Sequence, residues 1–91
     1  MVRDFDQVRQ VLASTIRTLR AAQQLSQEQI ALVADVDRTY VSQIERAVGN
    51  PSLLVLCKLG AVLGVDVCDL LGASTLPPPS HRRKRPTQRK P

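Results

Sequence analysis

Arg38, Thr39, Ser42 and Gln43 are hydrogen-bonding side chains that helical spacing sets on one side of the segment 37–46. Its apolar members, Val41 and Ile44, fall on the other side. Folding requires none of the polar groups there. Their types match the edges of DNA bases: an Arg guanidinium spans guanine O6 and N7, and a Gln carboxamide pairs with adenine. Thr or Ser serves either, with the Thr methyl against thymine. An ordinary solvated helix face has the same polarity, so the neighbouring elements must decide between the two. Covalent chemistry has less to draw on. No Ser/His/Asp set, P-loop, paired carboxylates or metal-ligand cluster stands out, and the single His81 lies in the basic C-terminal stretch. The sequence points away from an enzyme and implies no cofactor and no metal.

The elements that must position these side chains are legible from caps and periodicity. Asp4 and Gln7 have the D-x-x-Q spacing of a capping box, after which Phe5, Val8, Leu12, Ile16 and Leu19 form one apolar stripe of a long helix ending near Gln23 or Gln24. Its beginning, Phe5 to Val11, packs on its own domain or on a second subunit. Ser26 with Gln29 starts a second helix that ends at Ala34 or Asp35, and Asp37 caps a third that runs to about Arg46. The apolar phase shifts between Ala34 and Val41, as it does when two helices meet at an angle across a tight turn. Ser52 caps a fourth helix with an inward stripe of Leu53, Leu56, Leu59 or Gly60, and Leu63, ended by Gly64. Asp66 and Asp69 open a short fifth helix, Val67 to Leu71, before Gly72.

Composition sets further bounds. Ninety-one residues with one Phe, one Tyr and no Trp leave a core of Leu, Val, Ile and Ala, which favours packed helices in one domain. The net charge of +5 is divided unevenly. Residues 1–71 hold seven basic and eight acidic side chains, a net −1, whereas residues 72–91 hold six basic and no acidic ones. DNA binding by the globule must therefore rest on where a few charges sit. Residues 73–91, with Pro77-Pro78-Pro79 and HRRKRPTQRKP, read as a disordered basic tail that adds phosphate affinity or is a plain solvated extension. With no 18-residue apolar run and no apolar leader in MVRDFDQVRQ, a cytoplasmic, nucleoid-associated protein without membrane contact is expected. Cys57 and Cys68 are then reduced thiols, placed in the core or at an interface.

The order of I-R-T-L-R, L-S-Q-E, R-T-Y-V-S-Q-I-E-R, N-P-S-L and L-G-V resembles the Xre family of lambda-repressor-like helix-turn-helix domains over nearly the whole globule. The R-T-Y-V-S-Q-I-E-R wording is similar to controller proteins of restriction–modification systems. The resemblance implies an all-α, five-helix domain over residues 4–72, a homodimer formed through the later helices, and a third helix in the major groove. It assigns base reading to Arg38, Thr39, Ser42 and Gln43. Backbone contact falls to Tyr40, Arg46 and Asn50, with ring packing an open alternative for Tyr40, and Gln27 binds a phosphate or braces the reading helix. Arg20 and Glu45 match a structural salt bridge between the first and third helices. Gln24, Asp35 and Ala47 stand where the family often has Gly, at helix ends where φ turns positive.

Leu54 and Val55 sit beside the inward stripe of the fourth helix and, with Val62, Val65 and Val67, form an apolar excess assigned to a two-fold interface or to extra core packing. The sequence thus leads to a DNA-binding transcription regulator, acting as a homodimer on a palindromic operator. The alternative is an antitoxin-type module that grips a partner toxin and autoregulates its operon.

Overall fold

A computed structural model describes residues 2–72. They form five helices in the order α1 (Phe5–Ala22), α2 (Gln27–Ala34), α3 (Arg38–Glu45), α4 (Leu53–Leu63) and α5 (Val67–Leu70), with no strand among them. The expectation of a disordered tail over 73–91 lies outside the described residues.

Each helix begins where a side chain can satisfy amides that have no partner inside the helix. Asp4 with Gln7, Ser26 with Gln29 and Asp66 with Asp69 close reciprocal capping boxes. The Asp37 carboxylate accepts from the Thr39 amide at 2.8 Å, and the Ser52 hydroxyl accepts from the Val55 amide at 3.1 Å. Such caps contribute about 1 kcal/mol each. They matter most for α2, α3 and α5, which are too short to persist alone.

Packing does the remaining work. α3 lies against α1 and α2, α4 against α2 and α5, and α5 closes back on α1. One core joins Leu12, Ile16, Ile30, Val41, Ile44, Leu56, Leu59, Leu63 and Leu70. Ile16, Ile30, Val41, Leu59 and Leu70 are fully enclosed, and each such side chain contributes about 1.5–3 kcal/mol through burial. Gly60 lets the chain after α4 cross close by: a Cβ there would stand 2.6 Å from the Val65 carbonyl oxygen.

Four expectations are corrected. Leu53, assigned to the inward stripe, is 67% exposed, and Val55, assigned to the interface, is 8% exposed and belongs to the protomer's own core. The physical reason is the apolar content of α4, LLVLCKLGAVL: hydrophobic side chains surround the helix, so periodicity cannot fix its phase. Val62, Val65 and Val67 are half-buried against that same core. Cys57 and Cys68 are exposed within the protomer, so neither is a core residue. Phe5, at the start of the α1 stripe, is 54% exposed rather than in the core; the Arg9 guanidinium, 4.4 Å from its ring centre, covers it instead.

The helix ends carry backbone strain that glycine would relieve. Gln24, Asp35 and Ala47 have φ of 58°, 59° and 58°, a region that costs an ordinary L-residue about 1 kcal/mol and Asp less. Ala47→Gly should therefore raise stability by about 0.5–1 kcal/mol, and Tm by on the order of 2–8 °C, with a smaller gain for Asp35→Gly. Thermal melts followed by circular dichroism check the ranking.

Candidate nucleic-acid interface

α3 is eight residues long and turns only Val41, Ile44 and Glu45 inward. Two apolar side chains are a small anchor for a helix. The third inward residue is Glu45, its side chain 4% exposed, and four hydrogen bonds converge on it, three at the carboxylate and one at the backbone carbonyl. Arg20 grips it in a forked pair, Nε donating to Oε2 at 2.6 Å and Nη2 to Oε1 at 2.8 Å. Gln27 Nε2 donates to the same Oε1 at 3.1 Å, and Arg17 Nη1 donates to the Glu45 backbone carbonyl at 2.5 Å. The third Arg20 nitrogen, Nη1, donates to the Leu25 carbonyl at 2.8 Å and so ties the α1–α2 turn to the same point. Burial pushes the Glu45 carboxyl up, but the hydrogen bonds from Arg20 and Gln27 and the charges of Arg20 and Arg17 outweigh it and hold the group below its ordinary 4.5.

With α3 held this way, the opposite side faces outward. Arg38 and Thr39 are exposed at its start, Tyr40 is exposed beside them, and Ser42 and Gln43 are half-buried one turn on. Asp37, Thr39, Tyr40 and Gln43 line one open cleft of about 320 Å³. Hydrogen bonds from Thr39, from its backbone first and then its side chain, hold the Asp37 carboxyl below the usual carboxylate range. Arg46 is the C-cap of α3, and Asn50 lies on the loop that follows; both are exposed. The side chains of Tyr40, Arg46 and Asn50 have no hydrogen bond to the described residues, whereas Gln27 is engaged with Glu45.

Charge is distributed to the same effect. Arg9, Arg17, Arg20 and Lys58 all donate to acceptors within the fold, Lys58 Nζ reaching the Asp35 carbonyl at 3.4 Å at the end of α2. Of the cations on α3 and its caps, Arg38 and Arg46 are both exposed and without an internal acceptor among the described residues. Arg17 was not among the residues singled out from the sequence. Its signal was available, since it lies three positions before Arg20 and shares that side of α1.

A second exposed surface lies on α4. Leu54, 64% exposed, is followed at helical spacing by Cys57 and Ala61, with Leu53 alongside. This is an apolar stripe on the side of α4 away from its own core.

Comparison with known proteins agrees with the helix-turn-helix fold. A helix-turn-helix family profile matches residues 16–70. Control protein C.BamHI of Bacillus amyloliquefaciens is 37% identical over 70 residues, covering 76% of this chain and 86% of the relative. Control protein C.SmaI of Serratia marcescens is 36% identical over 67 residues, 74% of this chain and 80% of that one. Among solved structures, a hypothetical transcription factor from Neisseria superimposes with a TM-score of 0.69 at 38% identity, covering 92% of this chain and 91% of its own. The restriction-modification controller protein C.AhdI of Aeromonas hydrophila superimposes with a TM-score of 0.65 at 35% identity, covering 68% and 94%. These relatives are transcription regulators rather than enzymes, and they give no support to the toxin-gripping alternative.

The buried carboxylate makes a defined prediction. A group whose folded pKa is depressed stabilises the fold above its unfolded pKa, and that stability is lost as pH falls through the folded value. Glu45→Gln should cost about 2–4 kcal/mol at neutral pH by leaving Arg20 without its counter-charge. It should also flatten the acid loss of stability that wild type shows below about pH 4.5. Urea titrations of both proteins across that range measure the two effects together.

Proposed function

The chain belongs to the Xre-like helix-turn-helix family of DNA-binding transcription regulators, and from that premise we propose that it acts as a homodimer on a palindromic operator with α3 in the major groove. The observation that carries this reading is the contrast between occupied and unoccupied cations. Four basic side chains donate to acceptors of the fold, while Arg38 and Arg46 stand exposed at the two ends of a helix whose outward side is lined with hydrogen-bonding groups.

Arg38, Thr39, Ser42 and Gln43 read base edges, with Arg38 supplying the forked contact that suits guanine and Gln43 the one that suits adenine. Arg46, Asn50 and the Tyr40 hydroxyl bind phosphates and fix the register without reading sequence. Gln27 acts through Glu45, as a brace for α3 rather than as a phosphate ligand. The structural pair Arg20–Glu45 keeps the reading side chains at one angle to the groove. Because the globule is nearly neutral, affinity comes from these few contacts and from the basic residues after Gly72 rather than from a broad positive surface.

The stripe of Leu53, Leu54, Cys57 and Ala61 supports dimerisation, because an apolar stripe on a helix of a water-facing surface needs a partner. Val62, Val65 and Val67 are half-buried against the core, and Val55 contributes from beneath as core. A two-fold pair would set its reading helices about 34 Å apart, one turn of DNA, and so demand an approximately palindromic site. A protein of this kind works in the cytoplasm, bound to the nucleoid.

Two experiments test the proposal. Footprinting on DNA upstream of the chain's own gene should reveal a two-fold site. On that site Arg38→Ala or Gln43→Ala should lose about 1–3 kcal/mol of discrimination with melting unchanged, whereas Arg46→Ala should weaken all duplexes alike and lower the salt slope by about one. Loss of folding in the first two, or unchanged discrimination, would contradict base reading. Leu54→Asp changes a side chain that is 64% exposed, so the protomer should stay folded. Sedimentation equilibrium should then find monomers where wild type is dimeric, with operator binding weakened; a wild-type monomer at micromolar concentration rejects the interface.

A further inference from the structure

The family match begins at residue 16, yet α1 begins at Phe5, so about three turns of helix precede the matched region. One polar side chain on those turns reaches across the fold. Arg9 Nη1 donates to the carbonyl oxygen of Gly49, 40 residues away, at 3.2 Å. The guanidinium is held from below on the same helix: Nη2 pairs with Asp6, and the plane stacks over the Phe5 ring at 4.4 Å. Arg9 is partly buried, its side chain 24% exposed, Asp6 is exposed, and Arg9 Nε is enclosed without a partner among the described residues. A buried donor without a partner costs stability, which the contacts with Gly49, Asp6 and Phe5 must offset.

The acceptor lies in the loop between α3 and α4. That loop leaves the reading helix through Ala47 at φ 58° and turns again through Gly49 at φ 80°. Its Val48 amide donates to the Gln43 carbonyl at 3.0 Å, and the Gly49 α-carbon faces the Gln43 side chain, whose Oε1 would lie 3.6 Å from a Cβ added there. Asn50 follows directly. A single hydrogen bond to Gly49 therefore fixes the peptide next to a base-reading side chain and next to a phosphate ligand.

We propose that Arg9, oriented by Asp6 and Phe5, is a positioning residue that anchors the α3–α4 loop for DNA contact. The inference rests on the DNA-binding reading above and adds an element outside the matched family region. The α1 extension acts at a distance: it presents Asn50 to the phosphate and confines Gln43, while no atom of it touches DNA.

The test uses the full chain, with Arg9→Ala, Arg9→Lys and Asp6→Ala, on a duplex that the wild type selects from random sequence. Asp6→Ala discriminates best. Removing an acid strengthens DNA binding on charge alone, whereas loss of the anchor weakens it. Both alanine variants should bind about tenfold more weakly with an unchanged salt slope, and Arg9→Lys, which keeps the charge without the fork, should stay weak. In DNA-free protein, amide exchange at Gly49 and Asn50 should accelerate in both alanine variants while the interior of α4 keeps its protection. Undiminished binding by Asp6→Ala, or full affinity in Arg9→Lys, overturns the proposal, because the guanidinium would then act as a charge on DNA. A wild-type chain that selects no duplex rejects the DNA reading instead, and the exchange measurement alone then decides whether Arg9 fixes the loop.

Discussion

The buried carboxylate of Glu45 is the constraint on which this small domain depends. A helix of eight residues with two buried apolar side chains has little to hold it at a fixed angle. Glu45 supplies what the apolar contacts lack. It sits at the last turn of α3 and receives donors from two other helices, the forked Arg20 and Arg17 of α1 and Gln27 of α2. A buried ion pair is a weak source of net stability, because desolvation consumes most of its attraction. It is a strong source of orientation, because a forked contact tolerates little rotation and a lost partner leaves a charge in the core. Placement of α3 is thus governed by directional bonds, and the hydrophobic core around Ile16, Ile30 and Leu59 supplies the cohesion.

The same economy governs charge. A DNA-binding surface usually announces itself as a basic face, but the described residues carry seven basic and eight acidic side chains. Arg9, Arg17, Arg20 and Lys58 are each engaged with a carbonyl or a carboxylate. What remains on α3 is a pair of arginines at its ends and neutral hydrogen-bonding groups between them. In a domain with so little positive charge, geometry must replace field strength. The hydrogen bonds that fix α3 and its following loop therefore set where the exposed side chains of that helix stand.

The sequence was most legible where structure is local. A capping box needs two residues three apart, and the boxes at Asp4, Ser26 and Asp66 mark the starts of α1, α2 and α5. Reading failed where the signal was degenerate. In α4 nearly every side chain is apolar, so Leu53 and Val55 exchanged places relative to expectation, and only the neighbours, α2 and α5, decide which side turns inward. Phe5 fits the α1 stripe by spacing, yet it is half exposed and its ring is covered by Arg9 of the same helix.

The sequence by itself determined the helices, their order, their caps and the polar makeup of the segment 37–46, because each of these is set by residues within a turn or two of one another. Tertiary structure alone decided which cations are free to meet a ligand. Arg9 and Arg46 look alike in the sequence, and one is bound to a carbonyl 40 residues away while the other is exposed. Burial and partnership depend on contacts between distant segments, and neither periodicity nor composition carries that information.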